Sequence, residues 1–243
     1  MKLRKTISFC LLSIFCLVVS GGAASLAAEP VTYKGMAWQV GQWAQYDMKM
    51  DNKTLSVKYA ITGTETINGK TWYWFENEMN MPEGKAISKL LILPGESKPK
   101  KFIMKTGDRP AMDMTSLLES QSQRQQNTST PLQRDEDIVK GFIGYENITV
   151  PAGLFNALHS RVQNQTSTEK SDVWVSTIVP ITGLVQMSGK APNAGKIDLK
   201  LVKYGLTGAK TAITEKPQSF SIPKIPNMPN MNNMKELPNL END

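Results

Sequence analysis

Between Thr54 and Thr64 the side chains of Leu55, Val57, Tyr59 and Ile61 alternate with polar or small neighbours, and the pair Asn68-Gly69 follows. A repeat of two sends successive side chains to opposite faces of a strand, so this segment can bury one face and wet the other. Asn-Gly supplies most readily the two positive φ angles of a type I′ turn, and Thr71 to Phe75 beyond it is dense in aromatic residues. The spacing predicts a hairpin. Pairing Ile67 with Lys70 across the turn sets Gly63 opposite Trp74 and Glu65 opposite Trp72.

The same alternation recurs along the chain. From Trp43 to Met50, Trp43, Gln45 and Asp47 alternate with Ala44, Tyr46 and Met48. Ile87 to Leu93 and Lys101 to Thr106 flank Pro94-Gly95-Glu96-Ser97 and read as a second hairpin; the apolar run Leu90 to Leu93 predicts a central strand buried on both faces. In the second half, strands are expected over 145–150, 154–163, 172–176, 184–187 and 196–204, separated by Pro- and Gly-bearing or polar segments. Ile197, Leu199 and Leu201 alternate with Lys196, Asp198 and Lys200, which sets one face in the core and one in water. Met114, Leu117 and Leu118 fall at helical spacing behind Asp113, a capping residue. Gln121 to Arg134 has no apolar periodicity and reads as a long loop, and Asp135-Glu136-Asp137 reads as a solvated loop or a helix start. About nine or ten strands with one or two short helices make a mainly β chain, a strongly curved antiparallel sheet or half-open β-barrel.

The first 28 residues read as a secretory signal peptide. Lys2, Arg4 and Lys5 precede an apolar core from Ile7 to Val19, then small residues run to Ala28, with cleavage expected near Ala27 or Ala28. The apolar core is shorter than the ~20 residues a spanning helix needs. Residues 29–215 read as one antiparallel β domain. From 216 to 243 prolines and asparagines dominate, and the segment reads as a disordered Pro/Asn/Met-rich tail. The formal charge of +6 includes the leader cations, so the processed chain carries about +3. Nucleic acid is a poor partner for so small an excess. The lysines at 98, 100, 101 and 105 sit around a hairpin, where they discourage edge pairing.

Composition removes most catalytic chemistry. The chain has one histidine, His159, and two cysteines, Cys10 and Cys16, both inside the leader. Thiol nucleophiles, dithiol redox centres and thiolate or multi-histidine metal sites therefore have no residues to use. A run of consecutive acids does not hold two carboxyl groups across a cleft, and Ser176 lacks a Gly-x-Ser-x-Gly turn. His159 reads as a structural imidazole. The expectation is a non-enzymatic protein with no cofactor and no metal site. Met228, Met231 and Met234 raise Cu(I) handling, since thioethers are soft ligands. In a polyproline helix three residues span ~9 Å, so one ion could collect those sulfurs only if the tail curled.

Two stretches carry a resemblance. Tyr145-Glu146-Asn147-Ile148-Thr149-Val150-Pro151-Ala152-Gly153-Leu154-Phe155, and Val173-Trp174-Val175-Ser176 leading through Val179-Pro180 to Gly183-Leu184-Val185, resemble segments of bacterial periplasmic domains of unknown function. Those domains are similar to the lipoprotein-carrier (LolA/LolB-like) superfamily. The resemblance implies a half-open antiparallel barrel with helices over it and an apolar cavity suited to acyl chains. Trp43, Tyr46, Trp72, Trp74, Phe75, Phe155, Trp174 and Leu184 are the candidate lining of that cavity, since aromatic rings offer large apolar area. Core packing is the competing role for each. The leading expectation is a periplasmic or secreted binding protein, not membrane-spanning, for a lipid or a lipoprotein acyl chain. The alternative is an envelope protein-protein interaction module docking through its Pro/Met-rich tail, and Cu(I) handling ranks third.

Overall fold

The computed structural model describes residues 31–50, 53–81, 84–96, 98–122, 135–163, 169–191 and 195–219. The strands are β1 (Trp43–Met50), β2 (Lys53–Ile67), β3 (Lys70–Met81), β4 (Gly84–Ile92), β5 (Lys101–Thr106), β6 (Met112–Asp113), β7 (Phe142–Val150), β8 (Gly153–Gln163), β9 (Lys170–Val175), β10 (Leu184–Ala191), β11 (Gly195–Gly205) and β12 (Gln218–Ser219). They form one sheet in the order β12-β6-β5-β4-β3-β2-β1-β11-β10-β9-β8-β7. Every pairing is antiparallel except that of β12 with β6. Two short helices, α1 (Thr115–Ser122) and α2 (Asp135–Lys140), interrupt the strands. This is the strongly curved, open antiparallel sheet that the strand spacing predicts.

The Asn68-Gly69 turn holds in detail. Both residues have positive φ, 52° and 74°, and the register sets Ile67 against Lys70, Glu65 against Trp72 and Gly63 against Trp74. β3 runs on from the aromatic segment to Met81, well past Phe75. β4 lies between β3 and β5, and Leu91 and Ile92 are buried on opposite faces, as a continuous apolar run in an interior strand requires.

Bulges bend the sheet at Gln45/Tyr46, Ile61/Gly63, Leu184/Gln186 and Phe142/Gly144. An extra residue on one strand raises local twist, and the sheet rolls toward its core face. The extent of the roll is measurable: β7 and β11 are separated by three intervening strands, yet the Ala152 N–H in the β7–β8 turn donates to the Leu201 carbonyl at 3.1 Å. Tyr46, Phe155, Ala157, Val185, Leu199 and Leu201 fill the interior of that roll.

A second core lies on the same face of β2–β4, where Ile61, Phe75 and Ile92 pack with Ile181 from the loop between β9 and β10. Ile181 has φ of 70°, a left-handed conformation that a β-branched side chain rarely adopts. Trp38 holds it, donating its indole N–H to the Ile181 carbonyl at 3.0 Å. The acidic run resolves as α2, with Asp135, Glu136 and Asp137 in its first turn and Lys140 in its last. That distribution suits the helix dipole. Ile138 of α2 packs on Leu158 and Val175. At α1 the Thr115 N–H donates to the Asp113 side chain at 3.0 Å, the capping contact expected of Asp113.

Beyond β11 the chain crosses the opposite face of β3 and β4. Ala209 N–H donates to the Gly41 carbonyl, Ile213 packs with Ile87 and Ala111, and Gln218 N–H donates to the Ala111 carbonyl where β12 begins. This segment is a strap that lies over a charged face. Of the loop expected over 121–134, Gln121 and Ser122 instead end α1, and of the disordered tail expected over 216–243, Gln218 and Ser219 instead form β12. The remainder of both, like residues 1–30, lies outside the described residues, and with it the methionines considered for Cu(I).

Candidate functional site

The sheet has two unlike faces between β1 and β5, and period-two alternation, read with the register shift at Ile61/Gly63, assigns residues to them. On the core face, Tyr59, Asn77, Ser88 and Met104 form one row across β2, β3, β4 and β5. Tyr46, Val57, Met79 and Ala86 form the next row. Met81 closes β3 beyond them.

The two ends of this face differ in cover. Phe75, Ile61 and Ile92 lie beneath Trp38 and Ile181. Farther along, Asn77, Met79, Ala86 and Ser88 are half-buried, while Met81 and Met104 are 42% and 39% exposed. A strip of apolar surface therefore continues outward from a closed core. Within it the Asn77 Oδ1 is buried with no hydrogen-bond partner among the described residues, an arrangement that costs free energy unless another group meets it. Burial pushes the Tyr59 hydroxyl up to about 12, so it stays neutral as donor and acceptor.

On the opposite face the tryptophans meet charges. Trp74 donates its indole N–H to Glu65 at 3.2 Å, and the ammonium groups of Lys89 and Lys101 lie 5.2 and 5.8 Å from its ring. Lys100 lies over Trp72, and Lys203 over Trp43, whose indole N–H also donates to the Thr207 carbonyl. Glu78 receives Lys58 at 2.9 Å and Lys85 at 2.7 Å. Burial raises that carboxyl, but the two ammonium groups outweigh it and hold Glu78 below the usual carboxylate range. Burial lowers Lys89, and the nearby Glu76 carboxylate opposes the shift.

The residues proposed to line one cavity thus divide among separate places. Tyr46, Phe155, Trp174 and Leu184 meet in or against the core of the rolled end, and Phe75 belongs to the second core. Tyr59 joins the two, with ring centroids 5.4 Å from Tyr46 and 5.5 Å from Phe75. Trp43, Trp72 and Trp74 face the other way. The half-exposed core-face residues Asn77, Met79, Met81, Ser88 and Met104 escaped the sequence reading. Their signal was present, since Asn77, Met79 and Met81 continue the alternation of Tyr73 and Phe75.

A polar cluster crosses β7, β8 and β9. The His159 ring stacks on Trp174 with centroids 4.4 Å apart and planes 15° apart. Its Nδ1 lies 2.7 Å from Glu146 and its Nε2 3.1 Å from Asp172. Trp174 donates to the other Glu146 oxygen at 2.9 Å, and Arg161 donates to Asp172 at 2.9 Å. With both ring nitrogens engaged and one ring face covered, the imidazole ties the edge strand to β9. Hydrogen bonds from Trp174 and then His159 hold Glu146 below the usual carboxylate range. Among the described residues no group of three or more His, Cys, Asp or Glu could hold a metal ion, and no helix is long and apolar enough to cross a membrane.

No protein-family profile matches the chain, and no curated protein matches it. Solved structures do. A candidate lipoprotein from Parabacteroides distasonis is 14% identical, with a TM-score of 0.36 over 70% of this chain and 97% of that one. A candidate exported protein with a YmcC-like fold from Bacteroides fragilis is 11% identical, with a TM-score of 0.34 over 70% and 98%. The Pseudomonas aeruginosa MucA/MucB complex is 7% identical, with a TM-score of 0.36 over 70% of this chain and 53% of that one.

Proposed function

We propose that this chain is a non-enzymatic periplasmic protein that binds an apolar ligand, a lipid or the acyl chain of a lipoprotein, on the core face of β3–β5. One observation carries the reading: Met79, Met81 and Met104 stay half-buried or exposed on the same face whose other end is a closed core. An apolar strip left out of the core marks a surface for something else. Methionine suits the task, because its unbranched thioether chain re-packs around varied apolar shapes. The leader sequence supports export, and the tryptophans of the opposite face already have partners.

The test is uptake of a fluorescent fatty acid by the purified protein, with native mass spectrometry of protein taken from periplasm. Met79→Glu and Met104→Glu should each weaken uptake by about tenfold or more, since each sets a charge where an acyl chain would lie. Their urea midpoints should stay near that of the parent. A parent protein that carries no lipid and takes up no fatty acid overturns the reading. Removing residues 220–243, which spares β12, separates it from docking through the tail: lipid uptake should survive the truncation.

A further inference from the structure

The sheet ends in two unlike edges. At one edge β12 has two residues, Gln218–Ser219; at the other β7 has nine, Phe142–Val150. A sheet edge presents a row of free backbone donors and acceptors, and proteins blunt long edges with lysine, proline, bulges or a covering segment. β7 has little of this. Its bulge lies at Phe142/Gly144, leaving Gly144 to Val150 in regular pairing with β8. The strand contains no proline and no lysine or arginine, and its one charged residue is Glu146, which His159 and Trp174 already hold.

Among the described residues nothing covers the outer side of β7. Tyr145, Asn147 and Thr149 share a face and are exposed, Tyr145 to 60%, and Ile143 beside the bulge is 48% exposed. Leu154, across the β7–β8 turn, is exposed as well. We infer that β7 pairs with β7 of a second copy of this chain, antiparallel about a two-fold axis at Asn147, which continues the sheet across two molecules.

The register follows from the strand itself. Asn147 is the midpoint of the regular segment Gly144 to Val150, so an axis there uses the whole run. Each Tyr145 then lies opposite Thr149 of the second copy, an aromatic and β-branched pair of the kind that stabilises sheets. Glu146 falls opposite Ile148, so no two carboxylates meet; an axis one residue earlier would set Glu146 against Glu146. The Asn147 side-chain oxygen already accepts from Asn156 at 3.2 Å, leaving its NH2 to donate across the axis. An edge with so little free charge offers nothing to select a charged peptide. A self-complementary strand selects itself, and two-fold pairing is the commonest symmetric assembly.

Sedimentation velocity on the full chain tests this. The parent should be dimeric at tens of micromolar, a range in which specific weak interfaces report. Asn147→Lys and Asn147→Glu each set like charges opposite each other and should each give monomers, and an equimolar mixture of the two should return to dimer. Should either variant fail to fold, Tyr145→Glu combined with Thr149→Glu imposes the same repulsion at exposed positions. A monomeric parent, a dimer indifferent to these substitutions, or variants that do not recombine overturns the inference. This edge lies apart from the core-face strip, so lipid uptake and self-association succeed or fail independently.

Discussion

The backbone N–H of Ala212 donates to the buried carboxylate of Glu76 at 2.7 Å, across 136 residues of sequence. The Thr211 hydroxyl donates to the other carboxylate oxygen at 2.6 Å and accepts from Lys89 at 2.9 Å. Glu76 is fully buried, so the strap supplies the partners that water would otherwise give it. Glu76→Ala leaves the Lys89 ammonium without the carboxylate that pairs with it at 3.9 Å, and the Thr211 hydroxyl and Ala212 N–H without their acceptor. It should cost about 3 kcal/mol in a urea melt, the usual result of breaking a buried charged cluster from one side. Glu76→Gln keeps an acceptor and should cost roughly 1–2 kcal/mol. A loss well under 1 kcal/mol for the alanine variant would show that the strap is held elsewhere.

Acid should loosen the clasp on β7. Glu146 lies below the usual range through hydrogen bonds from Trp174 and His159. For Asp172 burial acts upward, but the hydrogen bonds from Arg161 and His159 outweigh it and leave its carboxyl low as well. A carboxyl depressed on folding contributes stability that is complete above its unfolded value and is lost as pH falls through the folded value. Stability should therefore decline from roughly pH 4 downward. Trp174→Phe keeps an aromatic ring but removes the indole donor, so the Glu146 carboxyl should titrate at higher pH. Carbon-13 NMR of the side-chain carboxyl reads this directly. An unchanged Glu146 titration in that variant would contradict the role given to the indole N–H.

Gly141, between α2 and β7, has no room for a side chain. A Cβ there would run into the Arg161 carbonyl oxygen and, at 2.6 Å, the Ser160 hydroxyl. Ser160 already donates to the Ile138 carbonyl at 2.7 Å, and Arg161 N–H donates to the Gly141 carbonyl. Backbone cannot yield as a flexible side chain can. Gly141→Ala should cost about 2–3 kcal/mol by thermal or urea unfolding, in the range of an overpacked interior. Gly69→Ala tests a different cause, since space there is open and only φ of 74° opposes the change; about 1 kcal/mol is expected.

Asn77 should trade stability against binding. Its Oδ1 lacks a partner among the described residues, so Asn77→Leu replaces an amide with one unpaired oxygen by apolar volume of similar size. Urea unfolding should show a gain of about 1 kcal/mol. If the strip takes up a ligand that hydrogen-bonds this amide, fatty-acid uptake should fall in the same variant. A loss of stability would mean that the amide is satisfied in solution and does not strain the sheet.

Much of the strand plan could be read directly. The Asn68-Gly69 turn, the pairing of Gly63 with Trp74, the second hairpin through β4 and β5, and the strands from β7 to β11 all follow from local alternation and turn chemistry. The sequence leaves α2 open between loop and helix, because its first turn is wholly acidic and only packing of Ile138 decides it. The candidate binding surface was less legible. Aromatic content drew attention to Trp43, Trp72 and Trp74, but the period of two puts them on the charged face, and extending that count past Phe75 would have reached Asn77, Met79 and Met81. His159 had no visible partner because Glu146 and Asp172 come from the two flanking strands.

From its residues alone this chain was bound to be a sheet: alternation and turn residues act over a few positions, and short-range sterics are enough to set them. Tertiary structure decided which parts of each face were covered. The roll of β7 toward β11, the strap on Glu76 and the half-exposed strip at Met79 and Met104 all join residues far apart in the chain. Such contacts depend on the summed twist and bulges of many strands, and no local pattern encodes that sum.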